Sequence, residues 1–229
     1  MKISKNRKKM LENLDINKLY EPIDAIKLLK EKTFVKFNET IDISINLGID
    51  SNKTEQNIKG VVNLPKGSGK TVRVAVIANE DKQNDAKNSG ADLVGSEDLI
   101  ETIAKSKIDF DILIATPDMM PKLGKVAKIL GPKGLMPNPK LGTVTNEILQ
   151  SVKDAKSGQV KFKNDKSGIV HAGVGKIDFS DEDLLENIQT FYSSIVKSKP
   201  DAVKGSFIKK VTIASTMGIG LNINQASLR

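Results

Sequence analysis

The hydrophobic pattern of this chain changes twice along its length, and the change limits the folds that are open to it. From residue 41 to 49, isoleucine and leucine alternate strictly with polar or small residues, which predicts a half-buried β-strand with one face in water. The same alternation returns at residues 211–213 and 219–223. Between these regions, short apolar runs such as residues 72–78 alternate with helical stretches, a pattern typical of βαβ units around a parallel sheet.

The two patterns predict one domain inserted into another. We assign residues 1–66 and 160–229 to an α+β terminal domain with a mixed or antiparallel sheet and helices. Residues 67–159 are assigned to an inserted, Rossmann-like, three-layer α/β domain. Glycine and proline mark two chain crossings, near residues 65–69 and 157–159, and such a double connection predicts a hinge.

Helix start signals support this division. Ser96, Thr116 and Ser180 are predicted to cap helices, and earlier helices are expected around residues 11–19 and 23–29. The helix after Ser180 carries one apolar stripe, formed by Leu184, Ile188, Phe191, Tyr192 and Ile195. After Thr116, apolar residues recur at helical spacing at Met120, Leu123, Ala127 and Leu130.

Charge is distributed unevenly between the two predicted domains. Residues 1–66 and 160–229 hold 23 basic and 16 acidic residues, whereas residues 67–159 hold 13 and 12. The net charge of +8 favours a polyanionic partner, and we expect a nucleic acid to bind the terminal domain first. No apolar signal segment follows the basic residues 2–9, which we interpret as a retained arm of a cytoplasmic protein. No run reaches the ~20 apolar residues of a membrane span, so no membrane partner is expected.

Composition argues against enzymatic chemistry. The chain has no cysteine, which excludes disulfides, cysteine zinc sites and thiol catalysis, and its single histidine, His171, excludes a histidine-rich metal cluster. His171 lies in an expected strand, and the sequence places no nucleophile beside it, so a structural or RNA-facing role is favoured over a catalytic one. We therefore predict no catalytic residue, no metal site and no cofactor.

Residues 67–71, Gly-Ser-Gly-Lys-Thr, are similar to the end of a Walker A phosphate-binding loop. The first glycine of that motif would fall at Leu64, and the segment leads into the apolar run 72–78 instead of opening a helix. We interpret it as a linker. Two alternatives stay open at this point: a nucleotide-dependent α/β enzyme, and a two-domain small-molecule binding protein, which the hinge suggests and the uneven charge disfavours.

The most distinctive stretch is residues 129–144, Ile-Leu-Gly-Pro-Lys-Gly-Leu-Met-Pro-Asn-Pro-Lys-Leu-Gly-Thr-Val, here called the Gly-Pro segment. Its buried-type residues favour an ordered, functional loop. Further distinctive motifs lie at residues 36–40, 60–65, 163–168, 174–176 and 215–218. Through these motifs, essentially the whole chain resembles the family of large ribosomal subunit protein L-one, in its bacterial form.

The resemblance implies a structural protein and not an enzyme. It implies the inserted-domain fold, binding of large-subunit rRNA to form the mobile ribosomal stalk, and assistance to deacylated tRNA in leaving the exit site. It also implies repression of the protein's own operon mRNA, whose structure imitates the ribosomal site. The expected partners are therefore large-subunit rRNA, exit-site tRNA and this mRNA, for a protein of the cytoplasm and ribosome that is a monomer outside the ribosome.

By position, the resemblance also implies which residues bind rRNA and mRNA. They are Lys36, Phe37, Glu39, Thr40, Lys166, His171, Lys176, Ser215, Thr216, Met217 and Gly218. Folded RNA is recognised through shape, 2′-hydroxyls and stacking, so hydroxyl groups and flat apolar surface discriminate where lysines only attract. We expect Phe37 to pack on a ribose or base, Thr216 to exchange hydrogen bonds with a 2′-hydroxyl, and Gly218 to permit close approach.

Overall fold

A computed structural model of the chain describes residues 5–11, 14–15, 18–105, 108–203 and 205–228. The chain divides into two compact units. The terminal unit comprises Met1–Gly69 and Val160–Arg229, and the inserted unit comprises Lys70–Gln159. Each unit mixes helices with a sheet, so the fold is a mixed α/β fold. Within the described ranges, no helix has both the length and the apolar character needed to cross a bilayer.

The helices and strands follow each other along the chain in a fixed order. They are α1 (Lys5–Leu11), β1 (Leu19–Tyr20), α2 (Pro22–Glu31), β2 (Thr40–Leu47), β3 (Lys59–Asn63), β4 (Val74–Ile77), α3 (Glu80–Asn88), β5 (Leu93–Gly95), α4 (Glu97–Ala104), β6 (Ile112–Ala115), α5 (Met120–Leu123), α6 (Ala127–Leu130), α7 (Ile148–Lys156), β7 (Gln159–Lys163), β8 (Ile169–Lys176), α8 (Asp181–Lys197), β9 (Ile208–Ser215) and β10 (Leu221–Ile223).

The main sheet of the terminal unit joins strands from both ends of the chain. Among the described residues it has five strands, in the order β1-β10-β9-β2-β8. β1 runs parallel to β10, and the other neighbours are antiparallel. β2 pairs with β8 on one side and β9 on the other, which confirms the strand predicted from the alternation that begins at Ile41. Its inward-facing residues are fully or almost fully buried: Ile41, Ile43, Ile45 and Leu47.

Helices α2 and α8 cover the apolar face of this sheet and complete one core. The predicted stripe of α8 is buried along its whole length, which confirms that helix. Its predicted cap is also confirmed, because the Asp183 amide donates a 3.1 Å hydrogen bond to the Ser180 hydroxyl. The Ser180 hydroxyl, together with Lys66, lowers the pKa of Asp183 below its ordinary value.

The N-terminal helix differs from the prediction. α1 ends at Leu11, Leu14 and Asp15 are not helical, and Leu19 lies in β1, so the predicted helix over residues 11–19 is wrong for every described residue after Leu11. Pairing of β1 with β10 decides the conformation of Leu19, and this long-range contact leaves no local sequence signal. Residues 1–4 of the predicted basic arm lie outside the described residues, while Arg7 and Lys8 are exposed on α1.

The inserted unit is built around a parallel sheet in the order β5-β4-β6, three strands in the part of the chain described here. Alternate residues of β4 and β6 point to opposite faces. One face packs against α4, α5 and α6, and the other against α3 and α7. The sheet therefore lies between two layers of helix, each with its own apolar cluster.

Ser96 and Thr116 occupy the N-cap positions predicted for them, so the two helix starts are confirmed, but the expected side-chain capping bonds are absent. Neither Ser96 nor Thr116 accepts a side-chain capping bond, and the buried Thr116 hydroxyl has no partner among the described residues. The stretch 117–130 is not one helix, because it alternates between 3₁₀ and α geometry around Pro121 and Gly124. Because of these irregular turns, the buried residues differ from the predicted stripe at two positions. They are Met119, Leu123, Val126 and Leu130.

The outgoing chain crossing is fastened to the terminal unit by Asn187, a fully buried residue of α8. The Asn187 amide group donates to the carbonyls of Gly67 at 3.0 Å and Val174 at 2.8 Å, and its oxygen accepts from the Lys66 amide at 3.2 Å. The Lys66 ammonium also lies 3.2 Å from the Asp183 carboxylate, whose hydrogen bond raises the pKa of Lys66. The segment up to Gly67 is therefore held by α8 and β8.

Candidate nucleic-acid interface

A buried carboxylate fixes the loop before β2 to the turn after β9. Glu39 is 1% exposed. Its Oε1 accepts a 2.8 Å hydrogen bond from the Met217 amide, and its Oε2 accepts one of 2.8 Å from the Thr33 hydroxyl. Because bonds to an ionised carboxylate are the stronger kind, Glu39 positions the turn 215–218, here called the binding turn. The Glu39 side chain is thus engaged with the protein itself.

Thr216 forms a second set of hydrogen bonds between the loop before β2 and the binding turn. Its hydroxyl accepts from the Thr40 amide at 3.0 Å and donates to the Thr40 carbonyl at 3.2 Å. The Lys176 ammonium donates to the Thr40 hydroxyl at 2.9 Å, which brings β8 into the same group. A hydroxyl has one proton and two lone pairs, so Thr216 keeps one lone pair that can accept from an outside donor.

Close packing within the turn explains why residue 218 is a glycine. Its amide donates to the Ser215 carbonyl at 3.1 Å, which makes the binding turn tight. A Cβ on Gly218 would lie 2.3 Å from the Ser215 hydroxyl, and Ser215 is buried. Any larger residue would therefore push the turn apart, whatever approaches it from outside.

Two large apolar side chains stand out from this fixed backbone. Phe37 is 53% exposed and Met217 is 52% exposed, beside the exposed Lys36 and Thr216. Exposure of Phe37 differs from the usual burial of aromatic residues. The loop and the binding turn together present apolar surface, a hydroxyl and a cation on a backbone that Glu39 and Thr40 hold in place.

Lys166 and His171 lie in a second group, at the start of β8. The Asp165 carboxylate accepts from the amides of Ser167 and Ile169, both at 2.8 Å, and the Ile169 bond is the main cause that lowers the pKa of Asp165. The exposed Lys166 sits in this turn. His171 Nε2 lies 3.6 Å from Asp165 Oδ2, within the reach of an ion pair when the imidazole is protonated.

A row of polar residues continues from His171 across the open face of the main sheet. His171 Nδ1 lies 3.0 Å from the Ser44 hydroxyl, Ser44 pairs with Thr212, and the Thr212 hydroxyl donates to Asn222 Oδ1 at 3.2 Å. Ser44, Thr212 and Asn222 are not among the residues predicted from the sequence. The polar positions of the strand alternation were the available signal, because they mark the face that the helices do not cover.

The structure thus brings most of the predicted residues into two groups. One contains Glu39, Thr40, Lys176, Ser215, Thr216, Met217 and Gly218, joined by the bonds above, and the other contains Lys166 and His171. Ser44, the partner of His171, lies four residues along β2 from Thr40, about 13 Å at the usual rise of a strand.

The Walker-like segment does not have the geometry of a phosphate-binding loop. Ser68 is buried, and the Gly67 carbonyl accepts from Asn187. After Thr71 the described chain continues directly into β4, with no helix whose N-terminus could face a phosphate. Across the described residues there is also no group of three His, Cys, Asp or Glu side chains that could hold a metal.

A cavity of about 570 Å³ lies at the opposite end of β9 from the binding turn. It opens between the C-terminal end of α8 and the start of β9, and its lining includes Tyr192, Val196 and Phe207. None of the predicted RNA-binding residues lines it.

Comparison with known families gives one finding. A model of the family described as "Ribosomal protein L1p/L10e family" matches residues 29–219. The matched stretch contains both groups of predicted site residues and the Gly-Pro segment, and it agrees with the resemblance drawn from the sequence motifs.

Proposed function

The chain belongs to the ribosomal protein L1p/L10e family, and on this premise we propose that the terminal unit binds large-subunit rRNA through the binding turn and the loop before β2. The family is one of structural proteins of the large ribosomal subunit that bind rRNA, which places the protein in the ribosome and the cytoplasm. The proposal adds which unit and which residues make the contact.

The observation that carries the proposal is the combination of a fixed turn with exposed apolar side chains. Glu39 and Thr40 hold the backbone of the binding turn, while Met217 in the turn and Phe37 in the loop before β2 are about half exposed. RNA binders stack aromatic side chains such as Phe37 on bases, and a flexible apolar side chain such as Met217 can pack beside them. A pre-ordered surface loses little entropy on binding. The remaining lone pair of the Thr216 hydroxyl suits a 2′-hydroxyl donor.

Electrostatics support the same surface. Lys36 and Lys166 are exposed, and the segments that form the terminal domain hold 23 basic against 16 acidic residues. Cations attract any RNA and make binding depend on salt, but they do not select a sequence. Selectivity would therefore come from Phe37, Thr216 and Met217, with the lysines adding affinity.

Competition binding tests this proposal. We expect the full chain to prefer the stalk fragment of large-subunit rRNA over a scrambled hairpin of equal length by roughly a thousandfold at physiological salt. Met217→Asp should abolish most of this preference and leave the free energy of unfolding within about 1 kcal/mol, because the residue is half exposed. Equal binding to both RNAs by the unmodified chain would overturn the proposal.

Val196→Asp is a matched control for that substitution. Val196 is 44% exposed in the same unit, and it lies beside the start of β9, roughly 20 Å of strand away from the binding turn. The control introduces the same charge and should leave the preference unchanged. Loss of preference in both variants would show a general charge effect and would contradict the assignment of the binding turn.

The resemblance to the family adds finer roles to this proposal. The protein forms the mobile stalk, assists release of deacylated tRNA from the exit site, and represses its own operon mRNA when that mRNA imitates the rRNA fold. A cell-free translation assay with the operon leader tests the last role. Met217→Asp should relieve repression in proportion to its loss of rRNA affinity, since one surface serves both RNAs, whereas repression that survives the substitution would require a different mRNA site.

The domain division belongs to this proposal as well. Residues 1–66 and 160–229 form the rRNA-binding domain, residues 67–159 form the inserted Rossmann-like domain, and hinge segments lie near 65–69 and 157–159. The Asn187 bonds to Lys66 and Gly67 support bending of the outgoing crossing after Gly67. Limited proteolysis tests this, because Asn187→Ala should add a cleavage site at residues 65–69 that the unmodified chain lacks.

A further inference from the structure

The Gly-Pro segment and the helical turns just before it carry cations that the proposed rRNA surface does not use. Residues 119–146 contain five lysines and no aspartate or glutamate, although the inserted domain as a whole is almost neutral. Lys122 is 2.7 Å from Glu97 in an ion pair. Lys128 and Lys133 are exposed, and no ion pair joins either of them to another residue within the described ranges.

The end of α6 holds these two lysines on a rigid turn. The Leu135 amide donates to the Leu130 carbonyl at 3.1 Å, and the Gly134 amide donates to the Gly131 carbonyl at 3.0 Å. These are the two bonds of a Schellman cap, with Gly134 at φ 70° in the left-handed position that the cap requires. Leu135 packs on the core of the inserted unit, so Lys133 is anchored just beyond the helix that carries Lys128.

The surface around the two lysines suits a phosphate backbone better than a protein. Gly131, Pro132 and Gly134 are exposed between and beside them. As far as the structure describes it, the stretch 117–143 exposes no large apolar side chain. A stable protein interface needs buried aromatic or aliphatic anchors, whereas a phosphate needs cations and a backbone that it can approach closely.

The helix dipole gives part of an explanation for this arrangement. Lysines near a helix C-terminus are stabilised by the dipole, which accounts for Lys128 without any ligand. The dipole does not explain why residues 119–146 contain lysines and no acidic residue. The other segments of the same unit hold twelve acidic residues.

We propose that Lys128 and Lys133 form a second RNA contact, on the inserted unit, that binds phosphate oxygens of folded RNA. This inference rests on the proposed function for the identity of the partner as RNA. Phosphate contacts carry no sequence information, so the pair adds affinity and salt dependence to binding without adding selectivity.

The test compares two double variants of the full chain. Lys128→Gln/Lys133→Gln removes the pair, and Lys87→Gln/Lys105→Gln removes the same charge from two exposed lysines elsewhere on the inserted unit. Affinity is measured against salt concentration for the stalk rRNA fragment and, separately, for deacylated tRNA. Removing the pair should reduce the slope of log affinity against log salt by about 1 to 2 on one of these RNAs, and the control should not. The RNA that shows the change is the source of the phosphates.

Equal slopes for the two variants on both RNAs would overturn the inference and leave this patch to an acidic protein partner. Failure of the proposed function gives a different result. In that case the unmodified chain would bind the stalk fragment and the scrambled hairpin equally, while a reduced slope for Lys128→Gln/Lys133→Gln would still demonstrate the phosphate contact.

Discussion

The binding turn of the terminal unit and the Gly-Pro segment of the inserted unit are both glycine-containing loops, yet they are held in opposite ways. The binding turn depends on Glu39 and Thr40, which are 178 and 176 residues away from their partners in sequence. The Gly-Pro segment closes on itself, for example between Asn138 and Thr143. Its end is also bonded to β6, where the Ala115 amide donates to the Thr143 carbonyl at 3.0 Å. The Gly-Pro segment therefore depends on bonds within itself and within the inserted unit, whereas the binding turn forms only when segments from both ends of the chain have come together.

Replacing Glu39 with alanine should break the binding turn and give the largest effect. The substitution leaves the Met217 amide and the Thr33 hydroxyl without their charged acceptor, and we expect a loss of roughly 3 kcal/mol in the free energy of unfolding of the terminal unit. Amide hydrogen exchange resolved by unit measures this loss. Glu39→Gln should recover part of it, because a carboxamide oxygen can still accept from Met217. Unchanged protection in Glu39→Ala would contradict the positioning role.

Thr143→Val removes a bond that closes the Gly-Pro segment, and it should cost less free energy of unfolding than Glu39→Ala. The Thr143 hydroxyl accepts from the Asn138 amide at 2.8 Å and donates to the Asn138 carbonyl at 3.2 Å, and Thr143 is 3% exposed. We expect a loss of about 1–2 kcal/mol confined to the inserted unit, with exchange in the terminal unit unchanged. Thr145→Val, which removes a bond from the Glu147 amide in a more exposed place, is the control. Faster exchange in the terminal unit would show that the loop is not local.

Thr216→Val should separate binding from stability. Its hydroxyl bonds to Thr40 lie at the surface, where water replaces them, so unfolding should change by less than about 1 kcal/mol. Affinity for the stalk rRNA fragment should fall at least tenfold, since valine offers no hydroxyl to a ribose. Thr216→Ser keeps the hydroxyl and should keep most of the affinity. If the valine variant binds as well as the unmodified chain, Thr216 does not contact RNA.

Acid should distinguish the Asp165 turn of the terminal unit from the Gly-Pro segment, with a smaller effect than the substitutions above. The Ile169 amide lowers the pKa of Asp165 from 3.8, so the carboxylate stabilises its turn above that pH, and the stabilisation is lost as the pH falls through the lower, folded-state pKa. The Gly-Pro segment has no acidic residue to titrate. An NMR titration below pH 4 should therefore shift the amides of Ser167 and Ile169, with those of residues 131–143 unchanged. The Asp165→Asn variant should lose the shift at Ile169.

The sequence predicted the periodic elements well. The alternation of β2 and the stripe and cap of α8 follow from nearby residues, and the structure confirms both. The burial of Glu39 could not be predicted, because its acceptor role depends on Met217, far along the chain. Thr116 has the sequence of a cap, but its hydroxyl is buried and makes no capping bond, so packing overrides the local preference there.

The sequence alone could have predicted that Asn187 is a buried polar residue with hydrogen-bond partners. It occupies a position on the apolar stripe of α8, three residues after Leu184, where a polar side chain has to find partners. Which partners it finds could not be inferred, since the carbonyls of Gly67 and Val174 reach it only through the fold.

The strand order of the terminal sheet also determines when each unit can fold during protein synthesis. The inserted unit is complete once residue 159 has been made, whereas β2 waits for β8 and β9, and β1 waits for β10. At ~5–20 residues per second, a nascent chain takes roughly 10–40 s between residues 40 and 218. We therefore expect each new copy to form its binding turn only after residue 218 has been made, and a product released before residue 215 to fold its inserted unit without forming the turn.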